Sequence, residues 1–576
     1  MFQGSSGKVR TTPCAICLVA GHGRELIGSD DSPVQRACRL AARGNRVHLL
    51  DCRPGRVGRS TAKLSRGLGD CVSYSALKVV DVPVPFRIQN ASDLCLVDRS
   101  DCVRLALERL HEDHYFDVIE FESGEGLGFR SVQAKNAGLG FEDVLLAVRL
   151  DTVSQLHREQ NERWLGSLEE LQTDFCERYA FEQADVQVCP CPALVECAKS
   201  LGWRFLNNGE GAPGTAYRVT MLRLLYDEFN ANVCVKMRDL CAVNDVPQTQ
   251  TNGPLVTVAV AHHNLGLYLP EALSALAEQT YAKMEVLVID DGSIDAHAIE
   301  SFEAMRARYP RFRFVVQPNA GIGATRNRGL WEARGEYFIP VDADNIARPE
   351  MVERMVTAIV RNPHLHAMTC YCLAFRSTEE LSREEYLYAH RPTGGPHVLA
   401  SIRNVYGDAN AIFHTASLRA VGGYETDRDS SFEDWEAFVK LVNRGYRIGV
   451  VPDHLFYYRH RDAGFSRVTN AYRNHQRVLR QFFQLESLPT TERIALWTAL
   501  IGLHRQAQEL AARQAGVRYR LADWLHGLLM RAPLAARGLK WLLRSGWGAW
   551  EYCAGKGKRG SMRSSATHLS PTHDMV

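Results

Sequence analysis

The sequence predicts an α/β protein of more than one domain. Three observations predict it. The chain has 576 residues, too many for a single hydrophobic core, so two to four domains are expected. Short apolar runs such as CAICLVA (14–20) and VHLLDC (47–52) alternate with helical patterns, the order that builds a parallel sheet with helices on its faces. After a polar, turn-rich stretch the alternation restarts at LVTVAVA (255–261), so a second sheet follows the first.

In the first region CAICLVA leads through a polar loop to the helical pattern VQRACRLAARG and the strand VHLLDC. LALERLHED then FDVIEFE, QAKNAG then VLLAVRL, and ERYAFEQA then DVQVCP repeat the pattern, and LVECAKSLGW closes it. Residues 1–206 are therefore assigned to one α/β domain. NNGEGAPG and NDVPQTQTNGP flank one helix candidate, RVTMLRLLYDEF, and 207–252 reads as a linker with some structure of its own. The second domain, 253–485, carries the strands LVTVAVA, EVLVIDD, FRFVVQ, EYFIPVDAD and RIGVVP and the helices LPEALSALAEQ, AIESFEAMRARY, ATRNRGLWEARG and FEDWEAFVKLVNRG. Residues 486–560 read as helical and basic, and 561–576 as a polar, disordered tail.

Composition excludes several classes. A net charge of +2 gives no whole-protein field for nucleic acid. The sixteen cysteines are scattered through apolar contexts rather than spaced as a secreted framework, and read as reduced thiols. Cys189, Cys191 and Cys197 lack a Cys/His pair at zinc spacing and read as loop or core residues. The N-terminus MFQGSSGKVRTTP has no signal-peptide core, and nowhere do about 18 apolar residues run together. The expected place of work is the cytoplasm, at most on the inner face of a membrane.

Three acidic groups lie at or near strand ends or helix starts of the second domain, where ligands of open α/β sheets bind. Asp290 and Asp291 end EVLVIDD, Asp342 and Asp344 end EYFIPVDAD, and Glu433 and Asp434 open the helix FEDWEAF. A carboxylate just past an apolar strand is poorly explained by core packing, because an unpaired buried charge is costly. Asp-Ala-Asp puts two carboxylates on one face, and two such oxygens suit Mn2+ or Mg2+ bridged by a diphosphate. The competing reading of that triplet is a solvated loop capping a helix, and Asp434 reads equally as a helix-start carboxylate.

The motifs VTVAVAHHNLGLYLPEALSALAEQTY, EVLVIDDGSID, NAGIGATRNRGL, GEYFIPVDADN, VGGYE and SFEDWEAFVKLVNRGYRI occur in the order and spacing of glycosyltransferase family 2, which residues 253–485 resemble. The resemblance implies a GT-A fold and an inverting, metal-dependent transfer of sugar from a nucleoside diphosphate donor, most commonly a UDP-sugar, to a hydroxyl. His263, Asn264 and Asp291, with Asp290 beside or instead of Asp291, would hold base and ribose. His263 stands where the family often has an aromatic residue. Gly321, Gly323, Arg326 and Asn327 match a segment near the donor, with the arginine placed to neutralise phosphate. Asp344 would be the principal metal ligand, Asp342 would touch sugar, ribose or metal, and His460 would reach metal or diphosphate. Asp434 matches the general base, which must take the acceptor proton as a weak hydroxyl nucleophile attacks. Gly407, Asp408 and Asn410 are read as lining the acceptor side. A base on the face opposite the leaving group gives a single displacement, hence inversion.

Residues 14–206 resemble, through DVIEFESGEGLGFRSVQAKNAGL and ERYAFEQADVQVCPCPALVECAKSLGW, the N-terminal, Rossmann-like half of family 4 glycosyltransferases, which have the GT-B fold. No second half follows before residue 253, so this domain reads as a scaffold, with Gly124, Glu125 and Gly126 marking a former acceptor cleft. From 513 to 563 eleven Arg and Lys, opposed by Asp523 and Glu551, are interleaved with Trp524, Trp541, Trp547 and leucines. That pattern suits an anionic membrane surface or a helix packed on the catalytic domain. The implied partners are a nucleotide sugar and a glycan or lipid-linked acceptor of surface polysaccharide or glycoconjugate synthesis. The alternatives are a catalytically degenerate sugar-nucleotide-binding scaffold and a nucleotidyltransferase, whose glycine-rich first loop HHNLGLY does not supply.

Overall fold

The apolar runs become two sheets. The computed structural model describes residues 14–21, 32–52, 72–77, 96–163, 165, 167–206, 232–235, 253–428, 431–461 and 469–483. The helix candidate RVTMLRLLYDEF, the basic segment 513–563 and the tail 561–576 lie outside the described residues.

The first sheet is built from β1 (Ala15–Ala20), β2 (Arg46–Asp51), β3 (Val72–Ala76), β4 (Val118–Glu122), β5 (Leu145–Arg149), β6 (Val186–Cys189) and β7 (Asn232–Val235). Their order is β3-β2-β1-β4-β5-β6-β7. The first six strands run parallel, and only β7 is antiparallel, on β6. This is the doubly wound order, with its reversal between β1 and β4. The strands β1, β4, β5 and β6 are buried along their length, as their unbroken apolar runs require in a sheet covered on both faces. The strand β7 falls within the stretch read as a linker, so the first sheet draws on residues beyond 206.

The second sheet has nine strands: β8 (Val256–His262), β9 (Met284–Asp290), β10 (Arg313–Val316), β11 (Tyr337–Asp342), β12 (Ile346–Ala347), β13 (Ala367–Phe375), β14 (Tyr388–His390), β15 (Ile412–His414) and β16 (Ile448–Arg459). The order is β10-β9-β8-β11-β15-β13-β16-β12, with β14 on β13. Strands β10, β9, β8 and β11 are parallel. In their register His262 pairs with Asp290, and Ala261 with Asp342. The carboxyl ends of β9 and β11 therefore flank that of β8, and the acids that terminate them share one edge of the sheet. Strand β16 runs on to Arg459, seven residues past the Pro452 at which the apolar pattern stops.

The two sheets belong to one compact unit. Their junction is polar and buried. Every residue of the helix Phe129–Ala137 is buried. From it, Arg130 donates to the carbonyls of Pro392 at 3.0 Å and Arg391 at 3.2 Å. Its guanidinium lies 4.9 Å from the ring centres of both Phe129 and Tyr371. Gln133 donates to the Thr393 carbonyl and Asn362 to that of Asn136, while the Tyr371 hydroxyl donates to Asp101. Such a network fixes a geometry because each group left without its partner inside the protein is costly.

Among the described residues no cysteine is in a disulfide, no group of three or more His, Cys, Asp and Glu is arranged to hold a metal, and no helix is long and apolar enough to cross a membrane. Truncating Arg130 removes one of three arginines beside Asp101 and the donor to the two carbonyls. Arg130→Met is therefore expected to lower unfolding free energy by about 1–3 kcal/mol. Calorimetry is expected to show both sheets melting in one transition at lower temperature; an unchanged transition would refute the junction's role.

Candidate active site

The loop after β9 is organised by its acids. The Asp291 carboxylate accepts from the backbone N–H groups of Ala320 and Gly321, both at 2.8 Å, and from the Gln317 amide at 2.7 Å. It thereby holds the loop that feeds the helix Ile322–Glu332. Asp290 accepts from the Ser293 hydroxyl and N–H. Asn264, at φ 52°, accepts from the N–H groups of Ile294 and Asp295 and closes the other side of the loop. Between these walls the half-buried His263 ring lies 2.9 Å from the Asp291 carbonyl and 3.1 Å from the Asn319 amide. Four residues expected at the donor base thus share one rim, and the two aspartates are engaged in building it.

The helix Ile322–Glu332 then approaches the turn at 422–425. A Cβ on Gly323 would lie 1.7 Å from the Glu425 carbonyl oxygen, so only glycine permits this approach. Asn327 clamps the turn, donating to the Tyr424 carbonyl and accepting from its N–H, both at 2.8 Å. This alignment aims Arg326 inward. Its guanidinium, 4% exposed, is paired with Asp342 at 2.7 Å and in still closer contact with Glu433. The arginine expected to face phosphate is thus engaged by carboxylates from two elements, the tip of β11 and the start of the helix Glu433–Asn443.

That single guanidinium ties the strand-tip acids to the helix-borne acids. Phe432, at φ 69°, turns the chain into the helix so that Glu433 reaches Arg326. Asp434 accepts from the Trp435 N–H at 2.7 Å. Burial, then the Glu433 and Asp408 carboxylates, push its acid up to about 8. Asp408, whose carboxylate accepts from the Asn410 N–H, is pushed up to about 7, first by burial and then by Asp342. Asp408 therefore belongs to this acid cluster as well as to the Gly407–Asn410 loop. Sequence patterning does not bring it there, because β15 and the loop before it reach the site only through sheet pairing.

Asp344 lies beyond the tip of β11. Its carboxylate accepts from Arg461 Nε at 2.6 Å. Burial and then Asp342 raise its acid above the usual range, and Arg461 opposes them. Arg459 donates to the Asp344 carbonyl at 3.2 Å and packs between the rings of Tyr268 and Phe375. His460 lies between these arginines, its N–H on the Phe375 carbonyl at 2.7 Å and its ring edge-on to Tyr388. Arg461 is a neighbour that the sequence did not single out, and Glu433, named there with Asp434, had no separate role. The alternation of side chains in YYRHRD past β16 was the available signal for Arg461.

The donor set suits a hard divalent cation in one respect. Asp342 and Asp344 are close enough to raise the Asp344 acid, and both are oxygen ligands. Magnesium is ordinarily bound by one or two carboxylates together with waters and substrate phosphates rather than by an all-protein cage. Asp342 and Asp344 would fit that role.

Comparison with known proteins bears on the same stretch. Residues 257–422 match the family described as Glycosyl transferase family 2. They are a glycosyltransferase family 2 segment. An uncharacterized glycosyltransferase of Haemophilus influenzae is 36% identical over 121 residues, 21% of this chain and 37% of that protein. A chondroitin synthase of Escherichia coli is 33% identical over 100 residues, 17% of this chain and 14% of that protein. The chain thus spans well under half the length of either relative. It is also similar to a solved mannosyltransferase of Pyrobaculum calidifontis in complex with GDP-Man and Mn2+, at 20% identity and TM-score 0.32, over 49% of this chain and 87% of that one.

The raised acids have a stability signature. Asp408 binds its proton more tightly folded than unfolded. Through that group wild type therefore loses stability as pH rises from about 4 to about 7, the window between the ordinary and the raised value. Asp408→Asn removes that slope and one anion beside Asp434. Its melting temperature relative to wild type is expected to climb steadily across this window in ligand-free protein; a pH-independent difference would contradict the raised acid.

Proposed function

We propose that the protein is an inverting, metal-dependent glycosyltransferase that moves a sugar from a nucleoside diphosphate donor, most simply a UDP-sugar, to a hydroxyl of a glycan or lipid-linked acceptor. One observation carries the reading. Arg326 is paired at once with Asp342 and Glu433, which supports reading the strand-tip acids and the helix that bears Asp434 as parts of one site.

In this reading the rim of His263, Asn264, Asp290 and Asp291 receives base and ribose. Arg326 and Asn327 fix the floor beneath the sugar. Asp342 and Asp344 hold Mn2+ or Mg2+, with His460 reaching toward the metal or the diphosphate. The ion, when bound, neutralises charge developing on the diphosphate leaving group. Asp434 takes the proton of the acceptor hydroxyl as its oxygen attacks the anomeric carbon from the face opposite the leaving group. Its raised basicity suits that task, since a base near the working pH combines availability with driving force. Asp408 supports it by repulsion and lines the acceptor side. The first α/β domain serves as a scaffold through its buried junction with β13 and β16. The basic segment 513–563 holds the enzyme to an anionic membrane on the cytoplasmic side.

A panel of nucleotide sugars with Mn2+ tests the proposal by donor hydrolysis and transfer. Asp344→Ala is expected to abolish turnover. Asp434→Asn is expected to lower kcat by about 10²–10⁴-fold while nucleotide binding persists. An Asp434→Asn protein that turns over normally would eliminate it as the base. Because Asp434 must be ionised to accept a proton, kcat/KM of wild type is expected to rise with pH through a limb near about 7–8, and in Asp408→Asn that limb moves to lower pH. A flat profile over this range would contradict the assignment.

A further inference from the structure

We propose that Arg461 is a built-in counter-ion of Asp344, which a divalent cation must displace, so that the protein binds bare metal weakly. The inference rests on the reading of Asp344 as a metal ligand. Four observations support it.

Arg461 Nε is 2.6 Å from Asp344 Oδ2, an ion pair on the carboxylate itself. The Asp344 side chain is only 11% exposed, and a buried carboxylate without a compensating charge is costly. An ionised Asp344 therefore calls for a cation beside it.

The neighbouring arginine shows what a permanent role looks like. Arg459 is 4% exposed, paired with Glu271, and enclosed by Tyr268 at 4.7 Å and Phe375 at 4.5 Å. Arg461 is 29% exposed and stands 5.8 Å from the Tyr268 ring centre. One guanidinium is enclosed in the wall; the other is partly exposed.

The two occupants also differ in reach. Asp342 takes its charge partner from Arg326, so each carboxylate of the pair has a separate arginine. A divalent ion can bridge both carboxylates, as one guanidinium on Asp344 does not. A bare ion must nevertheless break the existing pair, whereas a metal–diphosphate complex brings anionic oxygens to which the displaced guanidinium can turn. Arg461 thus favours entry of the metal together with the nucleotide over entry of the metal alone.

The test is Mn2+ binding by the full chain, followed by the electron paramagnetic resonance of the free aqua ion, with Mn2+ alone and with Mn2+ plus UDP. Arg461→Gln is expected to tighten binding of Mn2+ alone by about tenfold or more, since it removes a competing unit charge, and to narrow the gain that UDP provides. Arg461→Lys keeps the charge and is expected to stay within a few-fold of wild type. Asp344→Asn is expected to weaken Mn2+ binding with and without UDP. If Arg461→Gln binds Mn2+ alone no better than wild type, while Asp344→Asn weakens binding in the presence of UDP, the counter-ion is overturned and the metal site stands. If Asp344→Asn leaves Mn2+ binding with UDP unchanged, the metal reading itself falls.

Discussion

The pairing of the buried Arg326 guanidinium with Asp342 and Glu433 is the constraint on which the candidate site depends. A buried guanidinium is tolerated only with anionic partners, and here they come from the end of a strand and the start of a helix far apart in sequence. Fixing them on one cation brings Asp342 and Asp344 into the same centre as Glu433, Asp434 and Asp408. Among the described residues the acids there outnumber the cations. Burial, and then the neighbouring carboxylates, raise the acids of Asp408 and Asp434 above the usual range, and Arg461 contacts Asp344. A site short of positive charge is suited to an incoming divalent cation, and an acid that holds its proton tightly is suited to receive one from an alcohol.

The second constraint is mechanical. The segment 391–395 is held from the first domain by Arg130 and Gln133. The N–H groups of Thr393 and Gly394 both donate to the Val405 carbonyl, and Gly407, at φ 125°, lies against Thr369 and Pro392. Asp408 follows directly. The first sheet thereby braces the loop that carries one of the surplus acids, which gives it a physical role that requires no chemistry of its own.

Much of this was legible in the sequence, and the reason is local. Strand alternation and the carboxyl-end rule suffice to place Asp290, Asp291, Asp342 and Asp344 at one sheet edge, because the register of β8, β9 and β11 follows from uninterrupted apolar runs. What was not legible depends on long-range pairing. Asp291 bonds to backbone N–H groups some thirty residues away. Arg326 was expected at phosphate and is held by Asp342 and Glu433, and that pairing exists only once the helix Glu433–Asn443 is docked. Strand β7 is missed because its four residues lie in a polar, turn-rich stretch and gain their identity from β6. Arg461 carried no signal beyond its spacing after β16.

The most direct test of the central claim is crystallographic: the anomalous signal of Mn2+ in crystals grown with UDP. One ion is expected at the tip of β11, coordinated by Asp344 and Asp342 and by the diphosphate, with the Asp434 carboxylate facing the vacant sugar position. An ion and nucleotide bound elsewhere, or with Asp434 opening onto a different cavity, would contradict it.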